Sequence, residues 1–210
     1  MLQQFKEDIN NDFNSEFIVQ KYLIDGDSFF FREYYPDEEF EFKKGLADVL
    51  NIHIRDIAIV GSGKLGFSLK PNEVESALYE FKSFDFNFKA DANEEKSDLD
   101  VAIISNSLFE YFLKDIYIKT NKYRTIPDGW NERKEKNRKS FSYYALKGWF
   151  RKDFLFDGYE YENKILDFID IYKKKYKRDI NLGLYKSWFY FENYHTSNID
   201  NIKINLLYNV

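Results

Sequence analysis

The 210-residue chain contains no cysteine, two histidines and three prolines. The absence of cysteine excludes disulfide bonds, thiolate metal sites and cysteine nucleophiles. The two histidines, His53 and His195, are too few for a typical zinc site, and we expect both to be surface or structural residues. With only nine glycines, the composition also excludes collagen-like and linker-rich chains. The chemistry of the protein is therefore expected to depend on carboxylates, hydroxyls, amides, lysines and arginines.

Long apolar runs are absent as well. No stretch approaches the roughly 18 consecutive apolar residues of a transmembrane helix. The first residues, MLQQFKEDINNDF, do not show the basic-then-apolar pattern of a secretory signal. A hydrophobic fraction of 44% is too high for a disordered chain. The sequence predicts a cytoplasmic protein without membrane insertion, built as one domain with its core at residues 36–190 and terminal helices at 1–24 and 196–209.

The charge of the chain is unevenly distributed. Residues 130–152 contain eight basic and two acidic residues, a local charge of +6. Because the whole chain carries −5, the remainder carries −11. A second basic cluster, KKKYKR, occupies residues 173–178. Such runs are most often solvated helix faces, and the alternative is a surface that binds phosphate groups.

The order of apolar patterns predicts an α/β (α+β) fold, a mixed β-sheet flanked by helices. Residues 54–60, 97–105 and 178–189 have the β-branched, apolar character of strands. Helices are predicted from Pro36 to Asn51 and in three further segments: residues 107–119, 161–177 and 195–209. Residues 69–96 are predicted to form an inserted hairpin or a covering loop.

Two sequence features, on successive predicted strands, carry the functional interpretation. Gly61-Ser62-Gly63 follows the first strand, and Asp98-Leu99-Asp100 opens the second. Residues i and i+2 of a strand share a face, so the two aspartates project side by side. Paired carboxylates repel unless a cation neutralises them, and oxygen ligands without histidine or cysteine favour Mg²⁺ or Mn²⁺. The glycine turn offers backbone N–H groups and a hydroxyl to phosphates, so the pattern predicts a metal-nucleotide site.

The segment Gly61-Ser62, followed by SDLDVAI at residues 97–103, resembles the DNA polymerase β-like nucleotidyltransferase superfamily. The resemblance covers residues 54–104 well and 178–188 weakly. It implies transfer of a nucleoside monophosphate from an NTP or dNTP to a hydroxyl of nucleic acid or protein. The implied catalytic carboxylates are Asp98, Asp100 and a third residue, and the first two would hold the metal ions. The implied nucleotide-binding residues are Gly61, Ser62, Gly63, Lys64, Ser68, Lys147 and Arg151.

The sequence departs from this family pattern in two places. The glycine turn and the aspartate pair usually lie close together in the chain, whereas residues 63–97 separate them here. The third carboxylate is expected on the strand of residues 178–189, where Asp179 is our candidate and Asn181 occupies the neighbouring same-face position. Asp153 and Asp157 are weaker candidates. If Asn181 replaces the carboxylate, the protein is expected to be slow or to bind nucleotides without turnover.

Small members of this superfamily, including the Hailong-type enzymes, occur in bacterial toxin–antitoxin modules and anti-phage defence. The resemblance thus implies a defence-system effector partner and template-independent oligonucleotide synthesis, by analogy of fold alone.

Several alternatives remain open at the level of the sequence. GSGKLG also fits the G-x-G-x-x-G fingerprint of dinucleotide-binding proteins. The glycines can also form an ordinary tight turn, and the aspartates a polar strand entrance. Two rival functions are also open: a catalytically silent nucleotide- or RNA-binding subunit, which Asn181 motivates, and a structural protein whose many aromatic residues serve oligomer contacts.

Overall fold

The computed structural model describes residues 1–11, 13–72, 78–91, 94–127, 135–151, 155–156 and 162–208, with backbone alone for 135–137 and 207–208. The helices are α1 (Leu2–Asn10), α2 (Ser15–Val19), α3 (Phe29–Tyr34), α4 (Glu38–Leu50), α5 (Gly61–Leu65), α6 (Phe86–Ala90), α7 (Asn106–Lys119), α8 (Glu135–Leu146), α9 (Asn163–Tyr176) and α10 (Trp188–Tyr208). A π-helical turn, Gln20–Ile24, extends α2, and a 3₁₀ turn, Ile54–Asp56, precedes the first strand.

The strands form one mixed sheet. They are β1 (Ile57–Val60), β2 (Leu99–Ile104), β3 (Trp149–Arg151) and β4 (Ile180–Tyr185), in the order β1-β2-β4-β3. β2 pairs antiparallel with β1 and parallel with β4, and β3 pairs antiparallel with β4. The predicted α/β (α+β) class is confirmed. The antiparallel β1–β2 pair differs from the parallel unit to which the dinucleotide fingerprint belongs.

The face of the sheet opposite the two aspartates carries the main core. Alternation along each strand buries large apolar side chains on this face, where they meet α3, α4, α7 and α9. The strands contribute Ile57, Ile59, Leu99, Val101, Ile103, Phe150, Ile180, Leu182 and Leu184. Fully buried phenylalanines such as Phe30, Phe42 and Phe109 fill the space between sheet and helices.

The other face is covered mainly by the first turns of α10. Its side chains are smaller near β1 and β2, with Ala58 and Ala102, and aromatic near β3, with Trp149. Phe191 of α10 packs against this group. Further along, α10 leaves the sheet and buries Ile199 and Ile202 among residues of α1 and α2. The C-terminal helix therefore joins the N-terminal helices to the sheet.

A buried ion pair ties the long β1–β2 connection to the start of β4. Arg178 Nη2 lies 3.1 Å from Asp85 Oδ2, and both side chains are almost completely buried. Arg178 Nη1 also donates to the carbonyl of Ser97. The guanidinium lies over the rings of Phe30 and Phe84. Since Ser97 directly precedes the aspartate pair, this cluster fixes where β2 begins.

Several element boundaries differ from the sequence expectations. The helix after Pro36 begins at Glu38, because Asp37 has a left-handed φ of 70°. The helix expected at 107 begins at Asn106, capped by Ser105, whose Oγ accepts from the N–H of Leu108. β3 lies inside the basic segment of residues 130–152, where no strand was predicted. The last helix starts at Trp188 rather than near 195 because its first turns cover the sheet.

The connection between β1 and β2 agrees with the expected insertion. Phe67 and Ser83 form an antiparallel bridge, and the short helix α6 follows. In the described part of the chain, no helix is long and apolar enough to cross a membrane.

Candidate functional site

Asp98, just before β2, and Asp100 of β2 lie on the same face of the sheet. Leu99 between them is fully buried on the opposite face, as the alternation of a strand predicts. Asp98 is exposed and Asp100 is half-buried. Burial is the main cause that raises the pKa of Asp100, and the nearby Asp98 carboxylate raises it further. The two carboxylates therefore repel each other, and a bound cation would reduce this repulsion.

Asn181 lies between the two carboxylates. The parallel pairing of β2 with β4 places Asn181 opposite Asp100. Its Nδ2 donates to Asp98 Oδ2 at 2.9 Å and to Asp100 Oδ1 at 3.4 Å. The hydrogen bond from Asn181 opposes the effect of burial and lowers the pKa of Asp100. Asn181 thus occupies the position beside the pair at which a third carboxylate was sought.

Asp179 is engaged elsewhere. Its carboxylate accepts from Lys173 Nζ at 2.6 Å, and its side chain is 60% exposed. Its backbone carbonyl accepts from the N–H of Leu99, which continues the pairing just before β4 begins. The hydrogen bond to Asp179 raises the pKa of Lys173. In the described contacts, Asn181 rather than Asp179 reaches the aspartate pair.

The glycine turn lies directly against Asp100. Val60, the last residue of β1, pairs with Asp100, so the chain leaves β1 beside this carboxylate. Gly61 has a φ of 64°, and a Cβ there would lie 2.9 Å from Asp100 Oδ2. Both the left-handed backbone and the close approach require glycine. Ser62 follows in the first turn of α5 and is half-buried. The two sequence motifs, separated by residues 63–97, are therefore adjacent in space.

Gly63 and Lys64 do not take the positions expected of phosphate ligands. Gly63 is buried, and a Cβ there would lie 3.0 Å from Leu99 Cδ1, so this glycine allows α5 to pack on the sheet. Lys64 is 5% exposed and donates to the backbone carbonyls of Asp25 and Gly26. Burial lowers the pKa of Lys64. The direction of α5, which the sequence did not specify, turns this lysine away from Asp100.

Two basic residues act on Asp100, and one of them was not foreseen. Arg151 on β3 pairs with Gly183, two residues beyond Asn181 on the same face. Charges on Arg151 and Lys70 both lower the pKa of Asp100. Ser68, an expected phosphate contact, accepts a hydrogen bond from the N–H of Lys70. Lys70 could have been found from the sequence as the second basic residue in the run GSGKLGFSLK.

Lys147 lies at a different place in the fold. It is exposed after the end of α8, and its Nζ lies 4.3 Å from the ring centroid of Tyr143. Three other basic residues of this segment, Arg133, Lys134 and Lys152, lie outside the described residues. So do the weaker carboxylate candidates Asp153 and Asp157.

Aromatic side chains line the same face beyond Asn181. Tyr185 follows on β4, and Trp149 and Tyr194 pack beside it. His195 lies among these rings, and burial lowers its pKa to about 4. The imidazole is therefore neutral near pH 7. The sequence left a surface and a structural role open for this histidine, and its packing among Tyr185, Phe191 and Tyr194 shows that it is a buried structural residue.

The residues of this face fit a magnesium-type ion. The two carboxylates supply oxygen ligands, which Mg²⁺ and Mn²⁺ prefer, whereas Asn181 presents its Nδ2 to the carboxylates. Across the part of the chain that is described, no cluster of three or more His, Cys, Asp or Glu is arranged to hold a metal. Asp98 and Asp100 would therefore hold a cation as a pair, with Asn181 beside them.

Comparison of the chain with models of known families, with curated proteins and with solved structures finds no match.

Proposed function

We propose that the protein is a metal-dependent nucleotidyltransferase. The observation that carries the proposal is the contact of the Gly61 turn with Asp100, which brings a phosphate-binding type of turn against a carboxylate pair. In the proposed reaction, a hydroxyl oxygen of the acceptor forms a bond to the α-phosphorus of an NTP or dNTP. The bond between the α-phosphorus and its bridging oxygen breaks, and pyrophosphate leaves.

Each residue has a role that follows from its position. The Gly61 turn and the Ser62 hydroxyl bind the triphosphate, and Asp98 and Asp100 hold Mg²⁺ or Mn²⁺. The bound ion supplies charge that stabilises the phosphoryl oxygens. Asn181 cannot accept a proton, which leaves the aspartate pair to take the proton of the attacking hydroxyl. Arg151 and Lys70 add positive charge beside Asp100 that favours the polyphosphate.

A catalytically silent nucleotide-binding subunit is the second candidate. The specific observation that favours it is the position of Asn181, which donates to both aspartates where a third carboxylate was expected. Such a protein would bind metal and nucleotide but release no pyrophosphate.

The two candidates are separated by a transfer assay. Purified protein is incubated with each α-³²P-labelled NTP and dNTP and with Mg²⁺ or Mn²⁺, alone and with RNA, DNA or cell extract. Transfer predicts that label enters a larger species and that D98N/D100N abolishes this. D91N, at an exposed position of the β1–β2 connection, is the matched control and retains transfer. Absence of transfer under all conditions would reject the enzyme and leave the binding subunit.

A further inference from the structure

A cavity of about 270 Å³ lies beside β1, which is an edge strand of the sheet. Residues of α4, α5, the 3₁₀ turn and the loop after the π-helical turn surround it. Its charged lining residues are Glu39, Lys43, Arg55 and Lys64, and apolar side chains of β1 and neighbouring segments complete the wall. The volume corresponds to about nine water molecules, which is ample room for a small anion.

Positive charge dominates the lining. Lys43, Lys64 and Arg55 face one carboxylate, that of Glu39. Glu39 is itself occupied, because its Oε2 accepts from the N–H and the hydroxyl of Ser28 at 3.0 and 2.8 Å. Its Oε1 lies 4.0 Å from Lys43 Nζ, a distance at the limit of an ion pair. Among the residues that line the cavity, three cations are therefore matched by one carboxylate, which has other partners.

The position of the two lysines in this cavity disfavours their charged form. Burial lowers the pKa of both Lys43 and Lys64, and the charge on Lys43 lowers that of Lys64 further. The Glu39 carboxylate is the main charge that opposes this effect on both lysines. Asp25 and Asp27 oppose it as well, but both side chains are exposed and solvent screens their charges. An anion inside the cavity would stabilise both ammonium groups.

Hydrogen-bond donors are available to such an anion. An ammonium has three N–H donors, and Lys64 directs two of them to the carbonyls of Asp25 and Gly26. One donor remains on a side chain that lines the cavity. β1 is an edge strand, so part of its backbone N–H groups point away from β2 and toward this side.

We propose that this cavity is a binding site for a small phosphate-type oxyanion, with Lys43, Lys64 and Arg55 as its ligands. Three cations on three different elements surround a tetrahedral oxyanion from several directions, whereas a planar carboxylate would engage fewer of them. The proposal does not depend on the proposed transfer reaction, because none of these residues touches Asp98 or Asp100 in the described contacts.

Titration calorimetry with inorganic phosphate and pyrophosphate tests the proposal, at low ionic strength and with EDTA to remove metal ions. The parent is expected to bind, and K43Q/R55Q to weaken binding roughly tenfold or more, through loss of charge-assisted hydrogen bonds. K44Q is the matched control, because Lys44 neighbours Lys43 on α4 but pairs with Asp48 outside the cavity. K44Q is expected to bind as the parent does.

D98N/D100N separates this cavity from the candidate active site. The variant is expected to retain anion binding, which would show that the anion is not held at the aspartate face. The proposal is overturned if the parent shows no binding up to about 10 mM anion, tenfold above a millimolar Kd. The proposal is also overturned if K44Q loses as much anion affinity as K43Q/R55Q, or if D98N/D100N loses anion binding. Acetate tests the preference for a tetrahedral anion, and equal affinity for acetate would contradict it.

Discussion

Asn181 lies opposite Asp100 in the parallel pairing of β2 with β4, and its side-chain amide donates to the carboxylates of both Asp100 and Asp98. In the absence of a metal ion, the hydrogen bonds from this amide stabilise two carboxylates that repel each other. The same position is where a third carboxylate would complete a metal site. We therefore expect Asn181 to stabilise the metal-free protein and to make metal binding weaker than a carboxylate at this position would.

Replacing this amide by a carboxylate is expected to shift that balance. N181D removes a donor to two charged groups, and its free energy of unfolding without metal should fall by about 1.5–3 kcal/mol. Mg²⁺ should then raise the melting temperature of N181D more than that of the parent, because three carboxylates bind a cation more strongly. Thermal unfolding with EDTA and with Mg²⁺ measures both effects.

N87D is the control for added charge, because Asn87 is exposed on α6. Its melting temperature should respond to Mg²⁺ as the parent's does. An N181D protein that is as stable as the parent with EDTA, and gains nothing from Mg²⁺, would contradict the role of Asn181.

The contact between Gly61 and Asp100 is expected to tolerate no side chain. G61A places a Cβ 2.9 Å from Asp100 Oδ2 and forces alanine into a left-handed φ. G26A has nearly the same φ, 69°, but its Cβ would have no atom within 4 Å. Both variants should lose about 1 kcal/mol of stability from the backbone. G61A alone should also lose metal-dependent nucleotide binding, measured by calorimetry, and equal binding by G61A and G26A would refute this contact's role.

His195 is expected to make stability depend on pH. Its folded pKa is about 4, below the ordinary value of 6.5, so the unfolded chain binds the proton first as the pH falls. The contribution of His195 is complete above pH 6.5 and declines by about 1.4 kcal/mol per pH unit between 6.5 and 4. H195F keeps an aromatic ring among Tyr185, Phe191 and Tyr194 and removes the titrating group.

The difference in unfolding free energy between H195F and the parent isolates this effect from other titrating groups. Urea unfolding at pH 7.5, 6, 5 and 4 (roughly spanning the shift) should show a difference that moves in favour of H195F as the pH falls. A difference that stays constant over this range would contradict the burial of His195.

The buried pair of Arg178 and Asp85 is expected to be far more important for stability than a surface pair. R178M leaves the Asp85 carboxylate buried without its cation and should cost about 3–5 kcal/mol. R178M/D85N removes that charge and should recover part of the loss. K186A breaks the exposed pair of Lys186 and Glu110 and should cost less than about 1 kcal/mol. Urea unfolding measures the free energy of unfolding of all three variants. Similar losses of this free energy in R178M and K186A would contradict the greater importance of the buried pair.

The sequence predicted the parts of the site that depend on local spacing. The same-face placement of Asp98 and Asp100 follows from the two-residue repeat of a strand, and buried Leu99 confirms it. The glycine turn at the end of β1 was also predicted from local character. These features require no knowledge of how distant segments meet.

Features that depend on tertiary register were not predictable in the same way. Asp179 and Asn181 are two residues apart, so the alternation of a strand places both on the same face. Only the pairing of β4 with β2 decides which of them lies opposite Asp100. The three residues of β3 are too few to produce an alternating pattern inside a basic segment. Lys64 follows the glycine turn, but its direction depends on how α5 packs on Leu99.

The most direct test of the central claim measures binding rather than turnover. Both proposed functions require that the face of Asp98 and Asp100 bind a metal-nucleotide complex. Calorimetric titration with an α,β-methylene NTP, which resists release of pyrophosphate, is carried out with Mg²⁺ and with EDTA on the parent and on D98N/D100N. The account predicts binding that requires both Mg²⁺ and the two carboxylates. No binding by the parent, or binding that D98N/D100N leaves unchanged, would contradict it.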